Sequence, residues 1–466
     1  MHIDVIDRFE RFREIKDDWR RVYAADGLAQ VYLSWAWMAQ WLPLLKSRWF
    51  ILAAKASPNA KKYVAFFPLR ARTHMANKGG FFTEIAMAGN RFADYTGFLC
   101  EPDFRLQAAA AFGKNLKTMN WAAIKFESIR ASSSDLNRLL GCFPEKDFSI
   151  ERRSMVDADS GIDNSICPYV DLAESWDLYL AGLSSNTRQK LKRLLRKVEN
   201  GAGIAVAHAT ADTIDRDIET LLRFWSDRWA RQKGAQAQVI EQNLRVMLRL
   251  SFNNGNLLMP VLFSDGTAVG AHGVLVDDEK KVLSFLVGSR DQDFGNPQPG
   301  LTLHAHTIRH GIDQGFKRYD FLRGNEPYKY SFGSSESRIS STIVSLKPGK
   351  RKRPVLDKRS LPEALARVRQ LHADGKAKEA EIGYRQILKL DEQCAPALYG
   401  FGGLMMAQRE PVVAEAAFRS LLSVSGHSEK AWLALANSLA AQHRWSDAEE
   451  ARGRATALAQ KAVLIN

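Results

Sequence analysis

The chain is short of cysteine, of acid and of long apolar runs. Cys100, Cys142, Cys167 and Cys394 are the four cysteines in 466 residues, and no two make a CxxC. That scatter excludes a disulfide framework and a cysteine-bound zinc. No apolar stretch approaches the roughly 20 residues of a membrane-spanning helix. The first twenty residues, MHIDVIDRFERFREIKDDWR, carry charges throughout and lack the apolar stretch of a signal peptide. There is no Walker loop, no dinucleotide fingerprint and no HExxH pattern. Acids number 52 against 66 bases, a net charge of +14. These absences point to a soluble, cytoplasmic chain whose partners are anionic: a nucleotide cofactor, nucleic acid or an anionic membrane face.

What is present reads as ordinary globular protein, 45% hydrophobic and 25% charged, long enough for two or three domains. The last hundred residues repeat. Ala380, Ala414 and Ala448 are 34 residues apart, Tyr384 and Phe418 follow the first two by four, and Ile387, Leu421 and Ala455 share a third register. A small residue where helices cross, with an aromatic one turn later at a 34-residue period, is the tetratricopeptide signature. Hairpins are expected at 361–390, 395–424 and 432–458, a module whose usual work is binding a protein partner.

Ahead of the repeats the pattern is mixed α/β. Val31 to Leu45 reads as one aromatic-rich helix with Trp37 and Trp41 on its buried face. Trp49 to Ala54, Tyr63 to Leu69 and Ala122 to Glu127 read as strands. In the second half, Ser184 to Asn200 is an amphipathic helix, and Ile214 to Gln232 another. Strand signals at 257–263, 268–276 and 281–287 are followed by a loop, a helix from Gly300, and a short strand at Tyr319 to Leu322. Two basic runs stand out: RQKLKRLLRK (188–197), able to track a phosphate backbone, and KPGKRKRPVLDKR (347–359), which reads as a solvated linker.

Three constellations could carry chemistry. The densest is YDFLRGNEPYKYSFG, residues 319–333. Strand alternation would set Asp320 and Leu322 on one face, and Gly324 would turn the chain to bring Glu326 and Lys329 to the same rim. Carboxylates and an ammonium held close have the coupled pKa values that acid–base work requires; a surface salt-bridged turn is the plainer alternative. The second is the helix start at NPQPG (296–300), whose free N–H groups can receive an anion. The third, His304, His306 and His310, lacks companion ligands and is read as ordinary helix residues, so no metal is expected.

Taken in order, four passages resemble the CelD/BcsL-like acetyltransferases of the GNAT superfamily. They are WAWMAQW (35–41), the strand ending FFPL (66–69), SSNTRQKLKRLLRKVE (184–199) and the block from PGL (299–301) to GFKRYDFLRGNEPYKY (315–330). Where relatives usually show an acid this chain has Asn325. The resemblance implies tandem GNAT-like halves, similar to the FemAB-like transferases, at 1–160 and 161–346. A basic linker (347–360) and three tetratricopeptide repeats (361–462) follow. It implies acyl transfer from acetyl-CoA or another acyl-CoA to an amine or hydroxyl of a sugar, polysaccharide precursor or other small molecule of the cell envelope. Gly288, Asn296, Gly300, Leu301 and Thr302 would hold the donor. Asp320 or Glu326 would be the base, with Lys329 beside them, and Arg193, Arg323 and Tyr328 would contact substrate. An aminoacyl-tRNA-dependent transferase and a non-catalytic scaffold are the alternatives.

Overall fold

Among the described residues, two eight-stranded mixed sheets with their flanking helices are followed by a run of six helices. The computed structural model describes residues 1–45, 47–77, 79–89, 93–201, 203–295, 298–347, 355–426 and 428–463. In the first unit, β1 (His2–Ile6) precedes α1 (Phe9–Glu14), α2 (Lys16–Ala25) and α3 (Trp35–Trp41). Next come β2 (Arg48–Lys55), β3 (Tyr63–Met75), β4 (Phe81–Met87), β5 (Leu99–Cys100) and α4 (Arg105–Thr118). The unit continues through β6 (Ala123–Ile129), α5 (Ser133–Leu140) and β7 (Phe148–Arg152).

The second unit opens with β8 (Ile166–Asp171), α6 (Trp176–Ala181), α7 (Ser185–Glu199) and β9 (Ile204–His208). A helical pair, α8 (Ile214–Lys233) and α9 (Ala237–Asn253), leads to β10 (Leu257–Leu258), β11 (Pro260–Ser264), β12 (Thr267–Asp277) and β13 (Val282–Arg290). Then follow α10 (Pro299–Asp313), β14 (Arg318–Asp320), β15 (Ser335–Arg338) and β16 (Ser340–Leu346).

The two sheets have the same plan. The first runs β1-β2-β3-β4-β6-β16-β7 and the second β9-β11-β12-β13-β14-β8-β15. Each has one parallel pair at the same place, β4 with β6 and β13 with β14, bridged by a crossover helix. A parallel pair requires such a crossover, and here it is α4 in one unit and α10 in the other. The sixth strand of the second sheet is that unit's own first strand, whereas the sixth strand of the first sheet comes from the far end of the second unit. β8 inserts between β14 and β15, and β16 inserts between β6 and β7. The first sheet is therefore completed by a strand that follows the whole second sheet in sequence, and a cut of the chain at 160 would strip β16 from it.

A core continuous between the units reinforces the lock. Trp19, Trp37, Trp41 and Phe66 of the first share it with Leu221, Trp225, Met247 and Leu275 of the second. The expected single helix over 31–45 is divided. A 3₁₀ turn covers Val31–Leu33, Ser34 caps α3 by accepting from the Trp37 N–H, and a second 3₁₀ turn containing Pro43 ends it. Trp37 and Trp41 stay on the buried side, their rings stacked at 6.2 Å.

The tail consists of α11 (Leu361–Ala373), α12 (Ala377–Leu390), α13 (Ala395–Ala407), α14 (Pro411–Val424), α15 (Glu429–Ala440) and α16 (Trp445–Val463). Ala380, Ala414 and Ala448 are buried at the crossings, with Tyr384 and Phe418 filling the space beside them. A Cβ on Gly402 would run into the Phe418 ring. The tail docks on the first unit through the start of β4. Gln386 accepts from the Phe81 N–H and donates to the Phe81 carbonyl, both at 2.6 Å, and the Phe81 ring joins the helical core. Among the described residues no helix is long and apolar enough to cross a membrane.

Candidate functional site

β13 and β14 separate early. They pair only from Val282 to Ser284 against Arg318 to Asp320, yet β13 runs on to Arg290. β14 stops because the chain turns: Leu322 has φ 60°, and the Asp320 carboxylate accepts from its N–H at 2.8 Å. The alternation expected to place Asp320 and Leu322 on one strand face therefore does not arise. On the β14 side, among the described residues, no strand lies beside β13 beyond Ser284, and its backbone groups there open into a notch.

The start of α10 closes the other side. Pro299 is its first residue, where the missing N–H costs nothing. Gly270 lets it sit against β12, since a Cβ there would lie 2.9 Å from the Pro299 Cβ. The Thr302 N–H and hydroxyl both go to the Gln298 carbonyl at 3.0 Å, which turns Thr302 inward. The N–H groups of Gly300 and Leu301 precede the helical ladder and are free for a ligand. A Cβ at Gly300 would meet nothing within 4 Å.

Between notch and helix lies a cleft of about 690 Å³, lined by Gly288, Gly300, Leu301, Glu326 and Tyr328 together with Arg228, Trp229, His272, Phe285, Ser289 and His304. Its floor is apolar and neutral. His272 and His304 lie 4.4 Å apart, ring to ring, and His304 Nδ1 shares a 2.8 Å hydrogen bond with the Tyr319 hydroxyl. Burial holds His272 down at about 3. The same desolvation, with His272 and the Lys329 ammonium nearby, lowers His304 well below its usual range. His272 Nδ1 and Ser289 Oγ are buried with no protein partner. Arg228 lies over the Trp229 ring at 4.7 Å on the wall of the cleft.

The polar turn after β14 spans two environments. Its rim is Glu326, whose carboxylate pairs with the Lys329 ammonium at 2.9 Å. Lys329 is buried and donates to the carbonyls of Arg323 (2.7 Å) and Gly324 (2.9 Å), tying the turn closed. Gly324, at φ 96°, makes the reversal; a Cβ there would lie 2.6 Å from the Glu326 carboxylate. The inner side faces the first unit. Asp320 is buried, accepts from the Tyr95 hydroxyl at 2.8 Å and lies 3.8 Å from Arg130. Desolvation raises its pKa against the opposing pull of Arg130 and Tyr95. Arg323 pairs with Asp94 at 2.7 Å, and the Asn325 side chain accepts from the Asp163 N–H.

Of the residues singled out in the sequence, the cleft thus gathers Gly288, Gly300, Leu301, His304, Glu326 and Tyr328. Thr302 lies behind it, Lys329 beneath it, and Asp320 and Arg323 point to the inter-unit seam. Arg193 is on the exposed side of α7. Asn296 lies outside the described residues. Trp229, Arg228, His272 and Ser289 carry no motif and were not anticipated. Among the described residues no group of His, Cys, Asp and Glu has the arrangement of a metal site.

The same notch in the first unit is filled by its own chain. Beyond the β4–β6 pairing, Thr96 bridges to Ile129, with its N–H on the Ser128 carbonyl at 2.9 Å and its carbonyl receiving the Arg130 N–H at 2.8 Å. Among the described residues, it is the second unit that leaves this notch open.

That open unit is also where the sequence matches a known family model, the acetyltransferase (GNAT) domain, over residues 185–330. No curated protein matches the sequence. Solved structures similar to the chain include FemX, at 11% identity over 74% of this chain and 97% of that one, TM-score 0.45. A tandem GNAT protein from the clavulanic acid biosynthesis pathway matches at 9% identity over 74% and 98%, TM-score 0.40. A protein of unknown function from Bacteroides thetaiotaomicron matches at 13% identity over 74% and 100%, TM-score 0.43.

Proposed function

We propose that the protein is an acyl-CoA-dependent acyltransferase of the CelD-like type, acting in the cytoplasm. Its acceptor is an amine or hydroxyl of a sugar, polysaccharide precursor or related small molecule of the cell envelope. The observation that carries this reading is the meeting, in one cleft of the GNAT-type unit, of an unpaired strand edge, a free helix N-terminus and a carboxylate.

The residues present fit such a donor. The N–H groups of Gly300 and Leu301, at the positive end of α10, suit a pyrophosphate. The open β13 edge offers N–H and C=O groups to the amides of an extended pantetheine arm, in the manner of an added strand. The unpartnered Ser289 hydroxyl adds a hydrogen-bonding group within the cleft. Acyl-CoA supplies an activated acyl group and a thiolate leaving group. Glu326 receives the proton of the attacking amine or hydroxyl, and Lys329 holds that carboxylate at the rim. Tyr328, packed on His304 with ring centroids 5.5 Å apart, walls the acceptor side. Asp320 and Arg323 act as positioning residues, fixing the turn against Tyr95 and Asp94. Arg193 lies outside this scheme. The tail, with its 34-residue register, is proposed as a tetratricopeptide module that recruits a protein partner.

The test is release of free CoA thiol from acetyl-CoA in the presence of amino sugars and sugar nucleotides. Turnover should fall about a hundredfold or more in Glu326→Gln with donor affinity unchanged. Equal turnover in wild type and variant would remove Glu326 from the chemistry.

A further inference from the structure

The basic run at 347–359 does not line the cleft with its described residues. Its last two bases, Lys358 and Arg359, come down beside Arg8 and Arg48 of the first unit, where the helical tail begins. There two adjoining cavities of about 340 and 480 Å³ share Asp7, Arg48, Trp49 and Pro362 in their walls. We propose that this groove is a second ligand site, and that it takes a nucleoside polyphosphate.

Charge is the first reason. Among the described residues no carboxylate lies within ion-pair distance of Arg8, Arg48 or Lys358, although all three are exposed at the groove. Of the two acids on its walls, Glu363 is committed to Arg367 at 2.7 Å. Asp7 alone is left against three unmatched cations. Exposed cations normally find acids or spread apart, and a concave cluster raises the local concentration of anions.

Unmet polar atoms are the second reason. Arg359 is held by Asp357 at 2.9 Å and lies over the Phe50 ring at 4.6 Å, yet its Nε is buried without a partner. The Ser47 hydroxyl, in the wall of the larger cavity, is likewise buried and unpartnered. Buried donors left unmade are costly, and a bound phosphate oxygen would satisfy them. The third reason is Trp49, a half-buried ring braced edge-on by Phe12 at 6.2 Å and open to both cavities. Phosphate alone has no use for it; a nucleobase does.

The experiment is calorimetric titration of ADP and of inorganic pyrophosphate into the full-length protein. One ADP per chain is expected, bound more tightly than pyrophosphate. Arg48→Gln and Arg8→Gln, on separate elements, should each weaken ADP about tenfold. Gly300→Phe, which fills the cleft of the GNAT-type unit, should leave ADP binding unchanged. Absence of ADP binding would overturn the proposal, as would wild-type affinity in both arginine variants or loss of ADP in Gly300→Phe. Pyrophosphate binding as tightly as ADP would overturn the nucleoside class.

Discussion

Acidification should expose the neutral floor of the cleft. His272 is held from an ordinary 6.5 down to about 3 by burial alone. In the unfolded chain the same imidazole takes up a proton near 6.5, so between about 6.5 and 3 the unfolded state binds one more proton than the native state. Stability contributed by neutral His272 is therefore complete above the unfolded value and is lost as pH falls through this window. At pH 5 the unfolded imidazole is almost wholly protonated, and the native one is not. The loss relative to pH 7 is about 2 kcal/mol, and it hardly depends on the native value once that is below about 4. His304, lowered in the same direction, adds a loss of the same sign. The assay is urea unfolding of wild type and His272→Gln at pH 7 and pH 5. Glutamine cannot titrate, so the variant should lose about 2 kcal/mol less on acidification, whatever its constant penalty. Identical pH dependence in the two proteins would mean that His272 is solvated or charged in the native state, and the floor described above would be wrong.

Three further outcomes follow from the same geometry. Gln386→Ala leaves the Phe81 N–H and carbonyl without their side-chain partner, so the tail should loosen at a cost of about 1–3 kcal/mol, read as faster proteolysis between the first unit and α11. Gly402→Ala drives a methyl into Phe418 and should destabilise the helical tail by about 1–3 kcal/mol, lowering its melting transition while acyl-CoA binding persists. A fragment ending at 160 lacks β16 and should stay aggregated or unfolded, whereas one ending at 346 keeps both sheets whole; circular dichroism and gel filtration distinguish them.

Local pattern carried much of this architecture. The small residues that share the 34-residue register, Ala380, Ala414 and Ala448, are all buried in the helical core. The strand signal at 268–276 falls within β12 and that at 281–287 overlaps β13, where a buried sheet needs near-continuous apolar residues. The crossing of β16 into the first sheet was not legible, since a strand of seven residues shows no partner preference in sequence. The direction of Asp320 was misjudged for a local reason: its own carboxylate captures the Leu322 N–H and ends the strand, sending it toward Tyr95. His272 and Ser289 had no signature at all. A lone polar residue in an apolar strand takes its meaning from what stands across the cleft, and that depends on where β14 turns away.

The claim on which the rest depends is that the cleft beside β13 and α10 holds an acyl-CoA. Calorimetric titration of acetyl-CoA into wild type and Gly300→Phe addresses it directly. One donor bound per chain, with binding abolished in a variant that melts like wild type, is the predicted result. No binding to wild type, or equal binding by Gly300→Phe, would contradict it.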